Sequence, residues 1–537
     1  MTDAVVVGAG PNGLVAANLL VDAGWSVVVL DAGDAPGGAV RSAEVTAPGF
    51  VNDLFSAFYP LAAGSPEMGA LDLGQWGLEW AHAPLVVAHP LGDGRVVTLS
   101  REVEVTAASL DAFAPGDGDA WRTIAAQFDR IHTDLLGALF RAFPPVAPAA
   151  RLLRTLGTAD ALRFARFATM PLRRWAEENF NGVGAPALLA GNALHTDLGP
   201  DSGGGAVFGW LLCMLGQTAG FPVPVGGAQA LTDALVGRLL SLGGRIECDR
   251  AVREVVVRGG RAVGVRTVDG TEYDAARAVL AAVDAPQLFG SMVAPEHLPK
   301  RLLDDLRKFQ WDNGTVKVDW ALSGPVPWGD DRSALAGTVH LGGDVDALTR
   351  YTSQLAVGAV PDLPYVVFGQ MTTSDPTRSP AGTEAAWGYT HVPQTVRSDA
   401  GQDGITGSWD DREVDAVVDR LEAQVERFAP GFRDRVIGRF VNGPLGLQRA
   451  DRNLFRGALN GGSAAIHQQL VWRPVPGLGR PETPIDRLYL ASASAHPGGG
   501  VHGGPGGIAA RTALRDAGLL GPVRRGAIRV AQRAVYR

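Results

Sequence analysis

The stretch that decides the fold is Asp3-Ala-Val-Val-Val-Gly-Ala-Gly-Pro-Asn-Gly-Leu-Val-Ala-Ala-Asn-Leu-Leu20. An apolar run, a glycine loop and a helix follow one another, and a second apolar run ends on Asp31. Gly8 permits a tight turn, Gly10 lets the backbone approach a pyrophosphate, and Gly13 lets the helix pack on the strand. Asp31 lies where a carboxylate can accept the ribose hydroxyls. This order predicts a dinucleotide site; the alternative is a glycine turn in an ordinary βαβ unit.

A second glycine pair follows the acid, in Ala35-Pro-Gly-Gly-Ala-Val-Arg-Ser42. Two more glycines here indicate another close approach of backbone to the same ligand. The guanidinium of Arg41 could neutralise pyrophosphate charge, although it could also be a solvated surface arginine.

The composition limits the class of protein. The chain has 537 residues, 46% hydrophobic and 19% charged, which suits two or more domains. A net charge of −8 argues against nucleic acid as the main partner. Cys213 and Cys248 are the only cysteines, so we expect neither a disulfide framework nor a metal site. The first apolar run begins beside Thr2, and no apolar run is long enough to cross a bilayer, so we expect a cytoplasmic protein.

The middle of the chain alternates between helical and strand patterns. Apolar residues spaced by three and four predict helices from Asp111 to about Trp210, and the stripe Trp121, Ile124, Phe128, Ile131 and Leu135 is typical of a core face. Short strands joined by glycine turns are predicted between Arg245 and Ala282. A further helix is predicted over Asp411 to Phe428.

The end of the chain returns to an α/β pattern around a second glycine-rich loop. The strand Arg487 to Ala491 leads into Ser492-Ala-Ser-Ala-His-Pro-Gly-Gly-Gly-Val-His-Gly-Gly-Pro-Gly-Gly507, which opens a helix. So many glycines between a strand and a helix predict backbone wrapped closely round a ligand. A flexible linker is the alternative, and the apolar elements on both sides disfavour it.

Together these motifs resemble the FAD-dependent phytoene desaturase and amine oxidase superfamily, and within it the pyridine nucleotide-disulfide oxidoreductase domain-containing protein 2 family. The resemblance rests on GAGPNGLVAANLL, GGAVRS, VGGAQALTDAL, and an Arg-Pro pair followed by LYLASASAHPGGGVHGGPGG. It covers nearly the whole chain. It implies an α/β fold with a discontinuous Rossmann-like FAD-binding domain, of the glutathione-reductase type, and a mixed α+β substrate domain.

The resemblance also implies domain bounds and contacts with FAD. The FAD-binding domain would comprise residues 1–81, 220–293 and 445–520, the substrate domain 82–219 and 294–444, and a basic tail 521–537. The expected contacts with FAD are Gly8, Gly10, Pro11, Asn12, Gly13, Asp31, Ala32, Gly37, Gly38, Arg41, Val252, Gly499, Gly500 and Val501. In one departure, Ser492-Ala493 stands where many members have Gly-Asp, which puts the hydrogen bonding of the ribityl chain in doubt.

The flavin would perform the difficult step. It would accept a hydride from a hydrophobic or unsaturated small molecule and be reoxidised by dioxygen, a quinone or another acceptor. His496, in the glycine loop, is the leading catalytic side chain; the alternative is that it caps local backbone. His195 and Asp197 could face the cleft, although a structural role is the stronger hypothesis. Two other functions stay open at this point, a flavin amine oxidase and a non-catalytic binding protein like the GDP-dissociation inhibitors.

The sequence of the tail predicts a peripheral contact with a membrane. Arg525, Arg529, Arg533 and Arg537 recur every four residues, which on a helix gives one cationic stripe. Such a helix can lie on an anionic bilayer, attracted by about 1 kcal/mol per arginine. The alternative is a solvated or frayed terminus.

Overall fold

The computed structural model describes residues 2–477 and 479–537 and contains two large sheets. Their strands, in chain order, are β1 Thr2–Val7, β2 Val27–Leu30, β3 Leu85–Pro90, β4 Val96–Leu99, β5 Arg245–Glu247, β6 Val252–Arg258, β7 Arg261–Thr267, β8 Glu272–Ala281, β9 Gly314–Leu322, β10 Ala336–Leu341, β11 Val366–Gln370, β12 Glu384–Val392, β13 Val436–Asn442 and β14 Leu488–Leu490. Short paired segments such as Ser42–Ala43 with Asn52–Asp53 join them.

Helices cover both sheets. The longer ones are α1 Pro11–Asp22, α2 Val103–Asp111, α3 Asp117–Leu139, α4 Val146–Phe167, α5 Leu172–Asn179, α6 Gly184–Ala193, α7 Gly205–Thr218, α8 Gln229–Ser241, α9 Lys300–Leu306, α10 Val345–Ala356, α11 Asp411–Phe428, α12 Pro444–Ala450, α13 Gly504–Ala517 and α14 Gly521–Val535. The amphipathic patterns predicted α11 at its observed bounds and placed the Trp121 stripe on the buried face of α3.

The first sheet has the order β6-β7-β8-β1-β2-β5, with β14 beside β8. β1 pairs in parallel with both β2 and β8, so Val5 lies between Val28 and Val279. Residues Ala4 to Val7 are buried because helices α1, α8 and α13 cover one face and a second apolar cluster covers the other. The carboxyl ends of these strands meet at one edge, which is where ligands bind in open α/β sheets.

The second sheet has the order β13-β9-β12-β11-β10-β3-β4 and is mostly antiparallel. In β9 the side chains alternate, so Val316, Val318 and Trp320 pack under α11. The opposite face meets the cluster of helices α3 to α7. We call this opposite face, which carries Lys317 and Asp319, the inner face.

The two sheets confirm the mixed α/β fold with a Rossmann-like domain. The strands of the first sheet come from 2–30, 245–281 and 488–490, and those of the second from 85–99, 314–392 and 436–442. This division follows the two expected domains, whose exact bounds stay predictions.

The tail requires a correction. It forms a helix, α14, but Arg525 and Arg529 face the protein because both lie near Asp486, at 3.3 and 3.6 Å. Gln532 donates to the Glu482 carbonyl, and Tyr536 packs against the core of the first sheet. The arginines therefore do not form one outward stripe. In the described part of the chain no helix is long and apolar enough to cross a membrane.

Candidate functional site

The glycine loop after β1 is shaped as the sequence predicts. Gly8 has a φ of +101°, and its amide donates to the Leu30 carbonyl at 2.7 Å. At Gly13 an added Cβ would lie 1.9 Å from the Gly8 carbonyl oxygen, so only glycine lets α1 pack here. Gly10 is the N-cap of α1, followed by Pro11. The first turn of α1 therefore offers unpaired amides at the sheet edge.

The second glycine pair lies against the first loop. Gly37 donates to the Ala9 carbonyl at 2.9 Å, and a Cβ on Gly38 would come within 3.1 Å of the Gly10 Cα. The Arg41 guanidinium donates to the Gly38 carbonyl at 3.1 Å. The two glycine loops thus form the sides of one cleft, with Arg41 held at its rim.

Asp31 lies at the end of the same cleft. Its carboxylate accepts the amides of Ala9 and Gly33 at 2.6 and 2.7 Å. The Arg250 amide donates to the Asp31 carbonyl at 2.7 Å, which places the start of β6, with Val252, two residues further along. The structure therefore brings together the residues expected at the ribose and the adenine.

The residues present fit FAD. A Cβ on Gly10 would meet nothing nearer than the Gly38 Cα, at 4.0 Å, so a side chain there would project into the open cleft. The buried Oδ1 of Asn12 has no hydrogen-bond partner in the described structure. Amides at a helix N-terminus suit a pyrophosphate, and Asp31 suits a ribose.

One acid near this cleft was missed by the sequence analysis. The Oδ2 of Asp451 would lie 3.2 Å from a Cβ on Gly38. Burial raises the pKa of Asp451, the charge of Asp31 raises it further, and Arg41 opposes the shift. The signal was absent from the local sequence, because Asp451 follows α12 and reaches the cleft only through the tertiary fold.

The C-terminal glycine loop is held by one buried cation. Arg473 is 2% exposed and donates five hydrogen bonds to the carbonyls of Asn460, Gly462, Ser463 and Ala493. Burial lowers its pKa to about 10, so it stays charged at neutral pH. It ties the loop after β14 to the segment around Asn460.

The rest of that loop reaches the first glycine motif. A Cβ on Gly499 would lie 2.6 Å from the Asn460 Cα, and one on Gly506 only 1.9 Å from the Asn12 carbonyl oxygen. The N-terminus of α13 therefore crosses the N-terminus of α1. Gly500 is exposed, Val501 borders the core of the first sheet, and the Ser492 hydroxyl accepts the Ser494 amide at 3.3 Å. The roles expected of Gly499, Gly500 and Val501 stay predictions.

His496 is buried against the backbone of Leu139 and Arg141, and its Nε2 has no partner in the described structure. Burial lowers its pKa to about 4, so the ring is neutral at physiological pH. A neutral imidazole can accept a proton, and its catalytic role stays a prediction.

His502 makes the start of α13 sensitive to acid. Its Nδ1 accepts the Gly504 amide at 3.0 Å, and its Nε2 lies 3.2 Å from the Gly499 carbonyl. Burial lowers its pKa to about 4. Because the folded-state pKa lies below the ordinary value of about 6.5, the neutral ring stabilises the fold above pH 6.5 and this contribution is lost as the pH falls through 4.

We expect the replacement His502→Asn to flatten this dependence. Between pH 6.5 and 4.5 the free energy of unfolding should fall more steeply with decreasing pH for the parent than for His502→Asn. The difference between the two slopes should reach up to about 1.4 kcal/mol per pH unit. Chemical denaturation at several pH values measures the difference. The replacement of an exposed histidine, His297→Asn, is the control. Equal slopes for the parent and His502→Asn would refute the role of the ring.

A short apolar wall joins the glycine loop to the inner face of the second sheet. The Cδ1 of Leu61 would lie 2.6 Å from a Cβ on Gly500. Phe58, three residues earlier, packs on Trp387 of β12 with ring centroids 6.0 Å apart. Both belong to the apolar cluster of the helical region. Apolar side chains thus connect the flavin loop to the inner face, and we take this region as the candidate substrate site.

The inner face carries charged groups that the sequence analysis missed. Lys317 and Asp319 form a buried pair with an N–O distance of 2.5 Å, and burial raises the pKa of Asp319 to about 6. Tyr389 stacks on Trp387 at 5.8 Å, and the Lys317 Nζ lies 5.8 Å from the Trp387 ring centroid. The period-2 pattern of charged and apolar residues in Thr315 to Leu322 was the available signal.

His195 and Asp197 have structural partners. The His195 Nε2 lies 2.9 Å from the Nε2 of His340, and burial lowers the pKa of His195 to about 3. Asp197 lies 3.0 Å from His391 of the inner face and accepts the Asn313 amide at 2.7 Å. The two residues therefore stabilise the interior, as the structural alternative predicted.

Comparison with known proteins gives the family. The model of the flavin containing amine oxidoreductase family matches residues 99–506, and that of an NAD(P)-binding Rossmann-like domain matches residues 6–66. Pyridine nucleotide-disulfide oxidoreductase domain-containing protein 2 of Mus musculus is 26% identical, over 96% of this chain and 93% of its own. The phytoene desaturase (neurosporene-forming) of Rhodobacter capsulatus is 25% identical, over 93% and 91%.

A solved structure shares the fold. Putrescine oxidase bound to putrescine superposes with a TM-score of 0.60 at 17% identity, over 96% of this chain and 98% of its own. With the glycine cleft and Asp31 on the same fold, the cofactor is FAD, and the non-catalytic alternative is set aside. The chain belongs to the flavin containing amine oxidoreductase family and is an FAD-dependent oxidoreductase of the amine oxidase and desaturase type.

Proposed function

We propose that this protein dehydrogenates a hydrophobic, unsaturated small molecule. FAD supplies the hydride acceptor, and dioxygen, a quinone or another acceptor then reoxidises it. The chain's own residues bind and orient the substrate between the flavin loop and the inner face, and they exclude water. The proposal rests on one observation: the charged and aromatic side chains around that region already lie against protein partners.

An amine substrate would need a carboxylate or an aromatic face that is free to receive an ammonium group. The buried carboxylates beside the inner face lie against protein groups in the described structure. Asp319 pairs with Lys317, and Asp312 accepts three backbone amides. Asp197 lies 3.0 Å from His391 and accepts the Asn313 amide, while its Oδ1 makes no hydrogen bond to a described residue.

The aromatic pair is engaged as well. Trp387 and Tyr389 are the stacked rings of the inner face, and Lys317 already supplies a cation to Trp387. A second cation there would be repelled by Lys317. With Phe58 and Leu61 opposite, the remaining surface is apolar. This environment favours a neutral, lipophilic substrate over an ammonium ion.

The relatives support this choice to different degrees. The phytoene desaturase matches over most of both chains, and its name states a hydrocarbon substrate. The putrescine oxidase supports the fold alone. A flavin amine oxidase is therefore the second candidate.

Anaerobic reduction of the bound flavin tests the proposal. We expect detergent-solubilised phytoene to bleach the flavin absorbance near 450 nm, about the usual flavin maximum, and putrescine to leave it unchanged. Phe58→Asp should lower the rate of bleaching by about tenfold, because a charge would then line the apolar wall. The exposed Val268→Asp is the matched control. Bleaching by putrescine and not by phytoene would falsify the assignment.

A further inference from the structure

The outer face of α14 is apolar. The side chains that project into solvent are Val523, Ala527, Val530 and Ala534, spaced by four, three and four residues. Leu519 and Leu520 precede them, in the turn that follows α13. Leu519 is fully exposed, and Leu520, Val523 and Val530 are 79%, 74% and 67% exposed. We call these six residues the outer stripe. Such side chains are not needed to hold the helix, because the opposite face already docks it.

The inner side of α14 anchors the helix firmly. Arg525 and Arg529 lie near Asp486, Gln532 donates to the Glu482 carbonyl at 2.9 Å, and Tyr536 packs against the core of the first sheet. Arg524 pairs with Asp516 and Glu482. The outer stripe is therefore presented on a fixed helix, not on a frayed terminus.

The surroundings of the outer stripe carry exposed cations. Residues 511–537 contain seven arginines and one acidic residue. Arg511, Arg524, Arg525 and Arg529 are paired with carboxylates, whereas the exposed Arg515, Arg533 and Arg537 make no ion pair in the described structure. Arg533 and Arg537 lie exposed near the end of the stripe. Apolar side chains protruding among cations complement a surface that is negatively charged and has an apolar interior.

A second group of exposed apolar side chains, on α4, lies next to the outer stripe. On α4 the apolar Val146, Leu153 and Leu162 are 70%, 58% and 69% exposed. That helix has four arginines, of which Arg151, Arg163 and Arg166 are paired with carboxylates and Arg154 makes no ion pair in the described structure. The start of α4 adjoins the start of α14, because Arg480 donates to the Phe143 carbonyl at 2.8 Å and pairs with Glu482, which also pairs with Arg524.

We propose that the outer stripe, with the adjoining apolar side chains of α4, docks this protein on the surface of an anionic lipid bilayer. Leu519, Leu520 and Val523 insert into the interfacial region, and the arginines contact lipid phosphates. This reverses the sequence-based expectation, in which the arginine face of the tail met the membrane.

The docking face lies close to the flavin loop. Phe140, at the end of α3, packs edge-on against His502 at 5.2 Å, and His496 lies against Leu139 and Arg141. The corner between α3 and α4 therefore covers the glycine loop. A lipophilic substrate would have a short path from a bilayer to the flavin; this consequence rests on the proposed function, whereas docking itself does not.

Sedimentation of the full-length holoenzyme with vesicles tests the proposal. Vesicles of phosphatidylcholine with phosphatidylserine should pellet the protein at low salt, and high salt or pure phosphatidylcholine should weaken binding. The triple variant Leu519→Ser, Leu520→Ser, Val523→Ser should lower the partition coefficient by at least about tenfold. Side-chain replacements are preferable to truncation, because removal of α14 would expose the core around Tyr536.

The matched control is Val268→Ser, Val357→Ser, Leu363→Ser, three aliphatic side chains of similar exposure elsewhere. It should bind like the parent, and both triple variants should keep their FAD content and melting temperature. The proposal would be overturned if the parent and the triple variant at Leu519, Leu520 and Val523 (the Leu519 variant) pelleted equally. It would also be overturned if the parent did not pellet with the vesicles. A dimer in light scattering that the Leu519 variant abolishes would instead assign the stripe to a second copy of this chain.

Discussion

Replacing Gly10 with valine is expected to abolish FAD retention while the protein stays folded. A Cβ at this position meets only the Gly38 Cα at 4.0 Å, so the apoprotein can accommodate the new side chain. The isopropyl group would then occupy the cleft between the two glycine loops, where the pyrophosphate must approach the backbone amides of α1. Loss of those hydrogen bonds should weaken binding of FAD by at least about a hundredfold.

Flavin content after purification and the dissociation constant for added FAD measure this effect. Gly290→Val is the matched control, because Gly290 also has open space around it and lies outside the cleft. Gly13→Ala gives the contrasting case: its Cβ would overlap the Gly8 carbonyl oxygen, so the apoprotein itself should lose stability. If Gly10→Val bound FAD as tightly as the parent, the pyrophosphate would lie elsewhere.

The FAD-binding half could be predicted because its determinants are local. Gly8, Gly10 and Gly13 fix one turn and one helix, and Asp31 follows on the next strand, so spacing alone places them together. Helix α11 was predicted for the same reason, since its apolar period and its Asp410 cap lie within one segment. The structure then adds only the distances.

The inner face could not be predicted in the same way. Lys317 and Asp319 are neighbours in sequence, but their burial depends on the β12 strand seventy residues further on and on helices from the first half of the chain. His391 and Asp197 are brought together across a still longer separation. The tail is a second example. The spacing of its arginines correctly predicted a helix, but the direction in which Arg525 and Arg529 point depends on Asp486, a residue outside that helix.

Replacing Arg473 with methionine is expected to loosen the C-terminal glycine loop and weaken FAD binding together. The buried guanidinium donates five hydrogen bonds to four carbonyls on two segments. Methionine would remove all five, and of the four carbonyls only that of Ser463 would keep another donor among the described residues, the Gln469 side-chain amide. We expect a loss of about 3–5 kcal/mol in the free energy of unfolding. For a chain of 537 residues this corresponds to a fall in Tm of about 4 °C.

Two comparisons separate a positioning role of Arg473 from a general loss of stability. Arg473→Lys keeps a cation with three donors but lacks the planar fork, so its Tm and FAD affinity should fall between those of the parent and of Arg473→Met. Arg122→Met removes a much more exposed arginine, whose ion pairs with Glu104 and Asp119 are both 2.7 Å long, and it should change Tm little. The affinity for FAD, measured well below each Tm, is the deciding quantity. A lower Tm with unchanged affinity would show that Arg473 supports the fold without shaping the flavin loop, because a loop that still bound FAD normally could not have lost its anchor.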